Sequence, residues 1–192
     1  NKIILIGSKK LLYMQMKKLK FKFSFNIINH KQFSNSRLSK NSINLIDINF
    51  KFKKPFSKIS DQSNEFIHKT FDVALKLLKE NFSNCLINGP VSKKHFLKKK
   101  FLGITEYLQK KTKIKNETTM IIYNEKLSVS PLTTHLPLKQ VAKKISIKKI
   151  VYSSKQINNF YTSKIQKKPK IAILGLNPHC ETVDKFSEED KI

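Results

Sequence analysis

The stretch Pro131-Leu132-Thr133-Thr134-His135-Leu136-Pro137-Leu138 places a histidine between two predicted secondary-structure elements. Residues 127–132, which lead into this stretch, are apolar enough to form a short buried strand. Pro137 suits the first turn of a helix, where its missing N–H is not needed. Because ligands of open α/β sheets gather at the carboxyl ends of strands, we expect His135 to lie where a ligand arrives.

A second stretch, Lys170-Ile171-Ala172-Ile173-Leu174-Gly175-Leu176-Asn177-Pro178-His179, repeats this arrangement. Its continuous apolar run is typical of a strand that is buried on both faces of a parallel sheet. Gly175 and Asn177-Pro178 end the run, and His179 follows. Two imidazoles at one edge of a sheet can share a divalent metal, but catalytic zinc-type sites commonly use three protein ligands. The sequence supplies two candidate metal ligands, His135 and His179, and the third is missing.

Two further motifs precede these and complete an ordered set of four. They are Ile87-Asn88-Gly89-Pro90-Val91-Ser92-Lys93 and Gly103-Ile104-Thr105-Glu106-Tyr107-Leu108. Together with Thr-Thr-His-Leu-Pro-Leu and Leu-Gly-Leu-Asn-Pro-His, they resemble the 4-hydroxythreonine-4-phosphate dehydrogenase family of vitamin B6 biosynthesis. The resemblance covers residues 64–179, and four motifs in the same order are far more specific than any one of them.

The resemblance implies an α/β fold, namely an isocitrate- and isopropylmalate-dehydrogenase-like α/β/α sandwich that is incomplete in this chain. Residues 1–192 are then a partial dehydrogenase domain, in which 64–192 carry the motifs and 1–63 are difficult to assign. It further implies a cytoplasmic homodimer with the active site at the subunit interface. Because the chain begins at Asn1 and stops at Ile192 in mid-pattern, we expect it to be a piece of a longer protein.

The activity implied by the resemblance is the NAD-dependent oxidation and decarboxylation of 4-phosphooxy-L-threonine to 3-amino-2-oxopropyl phosphate, a step in pyridoxal 5'-phosphate biosynthesis. A divalent cation (zinc, magnesium or cobalt) suits this chemistry, because it stabilises the negative charge that develops as the carboxylate leaves. His135 and His179 match two of the three metal-binding histidines of the family. The third lies in a later His-Asp-Gln-Gly segment that this chain does not reach, and the residues that bind NAD cannot be placed.

Three other positions are carried over from the family motifs. Lys93, three residues after Pro90, is a candidate catalytic residue that pairs with phosphate or assists proton movement. Thr105 is a candidate substrate-binding residue near a helix N-terminus, where free N–H groups favour a phosphate, although simple capping is the alternative. The family has a histidine where this chain has Ile104. A second departure follows His179, where Cys180-Glu181-Thr182 replaces the family's Ala-Gly-Glu.

Composition leaves other functions open. The net charge of +26 suggests a nucleic-acid-binding protein, but 38 of the 39 basic residues are lysines spread along the chain, and Arg37 is the single arginine. We therefore expect no specific nucleic acid partner and no membrane partner, since no apolar run is long enough to span a bilayer. The two cysteines form no disulfide framework. Alternatives within the family are a dehydrogenase of phosphorylated D-threonate and an inactive or truncated homologue.

Local patterns predict alternating strands and helices, and therefore an α/β architecture with a mostly parallel sheet. One helix stands out because Ser60 or Asp61 can cap it. Its apolar residues form one stripe, which consists of Ile67, Phe71, Ala74, Leu75, Leu78 and Phe82. His68 in that helix and His95 after Lys93 are predicted to be surface residues. Strands are predicted at 2–7, 21–25, 45–48, 85–88, 119–124 and 127–132, and further helices at 9–19, 103–112 and 147–161.

Overall fold

The computed structural model describes residues 3–29, 37–98, 100–101, 103–114 and 118–177. Three strands and four helices follow in the order β1 (Ile4–Gly7), α1 (Lys9–Lys18), β2 (Phe25–Ile27), β3 (Ile43–Asp47), α2 (Asn64–Lys79), α3 (Ile104–Thr112) and α4 (Ile147–Phe160). Short 3-10 turns cover Asp61–Ser63, Leu138–Gln140 and Ala142–Lys144, and single π-helical turns cover Lys93–Leu97 and Tyr161–Ile165. The predictions of β1, β3 and all four helices are confirmed.

The three strands form a parallel sheet in which β3 lies between β1 and β2. Leu45 pairs with Leu5 on one side and with Ile27 on the other, and its side chain is fully buried. The buried Asn44 has its polar groups satisfied, because its Oδ1 accepts hydrogen bonds from the Ser39 N–H (2.7 Å) and the Asn26 amide (2.8 Å). The mostly parallel α/β architecture is therefore confirmed in the described part of the sheet.

Helix α2 joins two separate hydrophobic clusters, because different turns of the helix face each of them. Leu77 packs with Ile28, Ile46 and Ile48 of the sheet. One and a half turns earlier, Phe71 packs with a second cluster from the π-helical turn and α3, formed by Phe96, Leu97 and Tyr107. The apolar stripe predicted from Ile67 and Phe71 is thus core, although Leu77, which the predicted stripe omits, is the most buried leucine of this helix.

The chain divides into two compact units, Asn1–Thr112 and Lys113–Ile192. The first contains the sheet, α1–α3 and both clusters. The described part of the second contains α4, a single antiparallel bridge between Ile122 and Val129, and a contact of the Tyr161 hydroxyl with Ser128 Oγ (2.7 Å). No described residue of this second unit is buried. Along the described chain, no helix has the length and apolar character that crossing a membrane requires.

Several predicted strands are wrong for identifiable reasons. Residues 85–88 form no strand, because the Ser83 hydroxyl bonds both the N–H and the carbonyl of Cys85, and Ile87 is left 85% exposed. Residues 171–176 are also irregular, and Leu174 is 89% exposed, because no described strand lies beside them. The predicted pair 119–124 and 127–132 is reduced to the bridge of Ile122 with Val129. The predicted strand over 21–25 begins only at Phe25.

Candidate functional site

The glycine-proline loop ends in a tight turn that carries Lys93. The Ser92 side chain caps this turn by accepting a hydrogen bond from the N–H of His95 (3.3 Å). The turn closes at Lys98, which has a left-handed backbone (φ 48°) and donates its N–H to the Lys93 carbonyl (3.2 Å). Phe96 and Leu97, on the inner side, are buried in the second cluster. The Lys93 side chain is exposed, and it can therefore meet an anion from solvent.

Helix α3 starts at Ile104 and anchors the Gly-Ile-Thr-Glu motif to the same cluster. The Tyr107 ring packs edge-on against Phe96, with 5.1 Å between ring centroids. The turn that carries Lys93 and the helix that carries Thr105 therefore pack against the same hydrophobic cluster. Thr105 is exposed in the first turn of α3, within the helix and not at its cap. Ile104 is half-buried against the cluster, so the position of the family histidine has become a packing position.

His135 lies in the second unit, in an exposed turn. Its backbone is left-handed (φ 57°), which is uncommon for residues other than glycine and often marks a functional turn. His135 is exposed, and its imidazole has no hydrogen-bond partner among the described residues. An accessible imidazole suits a divalent metal such as zinc. Pro137 precedes two short 3-10 turns, Leu138–Gln140 and Ala142–Lys144, and not the helix that its position predicted.

The second predicted ligand, His179, and Cys180-Glu181-Thr182 lie outside the described residues. Among the residues that the structure describes, no three histidine, cysteine, aspartate or glutamate side chains are grouped so that they could hold a metal. The described chain therefore contributes one candidate metal ligand, His135. Its placement relative to Lys93 and Thr105 stays a prediction.

Sequence reasoning missed a polar group beside the Lys93 turn. His95, predicted to be a surface residue, is partly buried and donates its Nδ1–H to Asp61 Oδ1 (2.8 Å). Lys98 Nζ lies 3.1 Å from the other Asp61 oxygen. The hydrogen bond from His95, followed by that from Lys98, holds the pKa of Asp61 below its usual value. Asp61 therefore ties the start of α2 to the turn, and it does not cap the helix as predicted.

A second missed pair joins α2 to α3. His68, also predicted to be a surface residue, is half-buried, and its Nδ1 lies 2.8 Å from the Tyr107 hydroxyl. Burial raises the pKa of Tyr107 to about 12, with Asp72 adding to the shift. Burial lowers the pKa of His68, as does the nearby Lys111. The helical period could have indicated this placement, because His68 adjoins Ile67 at the edge of the apolar stripe.

The parallel sheet, the helices packed on it and the polar turns that follow define this chain as an α/β protein. The same class is found among solved structures. A 4-hydroxythreonine-4-phosphate dehydrogenase from Klebsiella pneumoniae has a similar fold, with a TM-score of 0.77 over 92% of this chain and 54% of that protein. The two sequences are only 23% identical, so this likeness supports the fold alone.

Sequence comparison is more specific. All of residues 1–192 match the family described as pyridoxal phosphate biosynthetic protein PdxA, and the chain belongs to that family. The 4-hydroxythreonine-4-phosphate dehydrogenase of Sulfurihydrogenibium sp. (strain YO3AOP1) is 34% identical over 152 residues, which are 78% of this chain and 46% of the relative. The enzyme of that name from Aquifex aeolicus (strain VF5) is 36% identical over 88 residues, 46% of this chain and 27% of the relative. The chain thus spans at most about half the length of these curated relatives, and the predicted family resemblance is confirmed.

Proposed function

We propose that this chain is part of an NAD-dependent dehydrogenase that oxidises and decarboxylates 4-phosphooxy-L-threonine in pyridoxal 5'-phosphate synthesis. The observation that carries the proposal is the family match over residues 1–192, within which four motifs occur in order. The proposal includes an isocitrate-dehydrogenase-like α/β/α sandwich, a cytoplasmic location and a homodimer whose active site lies between subunits. The parallel sheet supports the α/β part of this proposal, and the names of the relatives support the activity.

In this proposal His135, which is exposed, and His179 hold a divalent cation together with a third histidine from a longer chain. When bound, the cation would stabilise negative charge on the substrate oxygens, and NAD would accept the hydride. The Thr105 hydroxyl and the free N–H groups at the start of α3 would bind the substrate phosphate. Lys93, whose side chain is exposed, would pair with an anionic substrate group or move a proton.

The proposal is tested by comparing residues 1–192 with a version extended to the length of its curated relatives. NADH formation from 4-phosphooxy-L-threonine and bound metal are measured, with phosphorylated D-threonate as a parallel substrate. We expect activity and stoichiometric metal in the extended protein only, because two histidines hold a metal weakly without the third ligand. Comparable turnover by residues 1–192 alone would show that the active site has been misplaced.

In the extended protein, His135→Ala and His179→Ala should each abolish metal binding and activity, since losing one of three ligands removes the geometry of the site. His95→Ala is the matched control. Because His95 pairs with Asp61 in the first unit, its loss should leave metal binding unchanged. Full metal retention in either of the first two variants would refute their assignment as ligands.

A further inference from the structure

Three contacts that fix the turn of Lys93 meet at His95, which lies two residues after that lysine. The His95 N–H donates to Ser92 Oγ (3.3 Å), and the His95 carbonyl accepts from the Asn64 amide (2.8 Å). The imidazole donates to Asp61 (2.8 Å), which stands in the short helical turn that leads into α2. The backbone and the side chain of His95 are therefore held at the same time.

The side chain of Lys93 has no ionic partner that could set its position. It is exposed and forms no ion pair with a described residue. Because a lysine side chain has a flexible four-carbon stem, the space that it reaches depends on where its backbone is held. The Lys93 carbonyl accepts the N–H of Lys98 (3.2 Å), and the Phe96 N–H donates to the Ser92 carbonyl (2.8 Å). The position of Lys93 therefore follows from the fixation of this turn.

The turn needs a negative charge from elsewhere in the chain. Residues 81–105 contain five lysines and no aspartate or glutamate, so the positive charges of this segment repel one another. Asp61 supplies the opposite charge, because one of its oxygens accepts from His95 and the other lies 3.1 Å from Lys98 Nζ. The hydrogen bonds from His95 and then from Lys98 keep the pKa of Asp61 below its usual value, so the carboxylate stays charged at neutral pH.

The contacts of Asp61 join two points of the same turn. A single exposed ion pair contributes little to stability. A carboxylate that binds both His95, inside the turn, and Lys98, where the turn ends, also restricts the conformation of the backbone between them. This effect reaches Lys93, whose carbonyl closes the turn with the N–H of Lys98.

We propose that Asp61 is a positioning residue of the dehydrogenase, which through His95 and Lys98 holds the turn from which Lys93 reaches the substrate. The inference rests on the proposed function, in which Lys93 pairs with an anionic group of the substrate or moves a proton. Asp61 does not touch the substrate itself, so its effect on the reaction passes through Lys93. Because a small displacement of a reacting group lowers the rate strongly, loosening this turn should slow the reaction.

The first test measures the backbone of the turn without a catalytic readout. Hydrogen exchange of the Phe96 and Lys98 amides is followed in the extended protein by mass spectrometry of the peptide that spans the turn. Asp61→Ala should accelerate this exchange by about threefold or more, because the link between the turn and the segment before α2 is lost. Glu65→Ala is the matched control, since it removes an exposed carboxylate that pairs with Lys69 inside α2 (2.6 Å), and it should leave the exchange of the turn unchanged.

The second test is a double-mutant cycle in the extended protein, with NADH formation from 4-phosphooxy-L-threonine measured well below the melting temperature. Asp61→Ala should lower kcat/KM by about fivefold or more, and it should change the same parameter, kcat or KM, that Lys93→Gln changes. When Lys93→Gln is already present, Asp61→Ala should lower kcat/KM by less than about twofold further, because the side chain that it positions is gone. Glu65→Ala should leave kcat/KM unchanged, and bound metal should stay the same in all variants.

A purely structural role of Asp61 predicts a different pattern. Asp61→Ala would then lower the melting temperature with unchanged kcat/KM, or it would lower kcat/KM equally with and without Lys93. Either pattern overturns the inference, as does unchanged hydrogen exchange of the turn in Asp61→Ala. Absence of turnover in the parent extended protein would instead refute the proposed function, and the exchange measurement would still decide whether Asp61 holds the turn.

Discussion

The two units of this chain differ in what their apolar residues have to pack against. In the first, the sheet, α2 and α3 enclose two clusters, and every described hydrophobic residue that is buried lies between Ile28 and Tyr107. In the second, apolar residues are also frequent, but none of the described ones is buried, and Leu138 (87% exposed) and Leu174 (89% exposed) lie on the surface. Apolar content alone therefore does not make a core.

The two units differ in whether other described elements cover their apolar segments. β3 has a strand on each side and α2 packed on its face, so its three central residues, Asn44, Leu45 and Ile46, are buried. The run around Ile173 has the sequence of such a strand without a described neighbour. A large exposed apolar surface generally marks a contact site. The described part of the second unit thus has apolar segments without a described element that buries them.

The largest expected difference concerns core truncation. Phe71→Ala should lower the free energy of unfolding by about 3–5 kcal/mol, because Phe71 is 5% exposed and packs on Phe96 and Tyr107. Val151→Ala, on the exposed side of α4, should change it by less than about 0.5 kcal/mol. Urea unfolding of both variants measures the contrast. Equal losses would show that the second unit has a core of its own.

A smaller effect is expected where the family histidine has been replaced. Ile104→His should cost about 1–3 kcal/mol, because an imidazole takes the place of an aliphatic side chain packed against the second cluster. In the extended protein the same change should lower KM for the phosphorylated substrate, since the family residue is restored. Ile104→Val is the control, with a cost of about 0.5–1.5 kcal/mol and no gain in KM. An unchanged melting temperature in I104H would contradict the packing of Ile104.

The helices were predictable because local sequence signals, such as capping residues and the helical period of apolar residues, mark them. Ser146, for example, caps α4 by accepting a hydrogen bond from the Lys149 N–H, and the helical period continues to Phe160. The sheet was harder to predict, since β1, β2 and β3 are short and lie in the segment that we found difficult to assign, and their pairing depends on contacts far apart in sequence. Residues 171–176 show the limit of a local pattern. Their apolar run indicates a buried strand, but it does not show which neighbouring element would bury it.

The residues of the candidate site likewise divide into those that a local motif could indicate and those that only long-range packing brings together. Motifs pointed to Lys93, Thr105 and His135 as candidates. The structure shows that all three are exposed, and that the second cluster holds the turn of Lys93 and the helix of Thr105. Motifs could not identify the pairing of Asp61 with His95, which are 34 residues apart, or that of His68 with Tyr107, which are 39 apart. Such pairs arise from packing between elements, and a single sequence does not encode them as a local pattern.

A weaker effect than that of I104H is expected from pH. Burial lowers the pKa of His68 below its ordinary value of 6.5, so the unfolded chain binds a proton more readily than the folded chain. The contribution of the neutral His68 to the free energy of unfolding should therefore fall as the pH drops below about 6.5. It should level off below the folded-state pKa. His68→Asn keeps a polar partner for Tyr107 and removes the titration. Melting temperatures between about pH 7 and pH 5 should fall less steeply in H68N than in the parent chain, and parallel curves would contradict the prediction.

The smallest effect on stability, and the clearest test of function, is expected at Thr105. The side chain is exposed in the first turn of α3, and Thr105→Val keeps its shape while removing the hydroxyl, so the free energy of unfolding should change by less than about 0.5 kcal/mol. If the hydroxyl binds the substrate phosphate, KM should rise in the extended protein, because one hydrogen bond to an anion is lost. Thr112→Val is the control, since its hydroxyl bonds the Leu108 carbonyl (2.9 Å) at the far end of the same helix. A lower melting temperature with unchanged KM in T105V would show that Thr105 serves the helix and not the substrate.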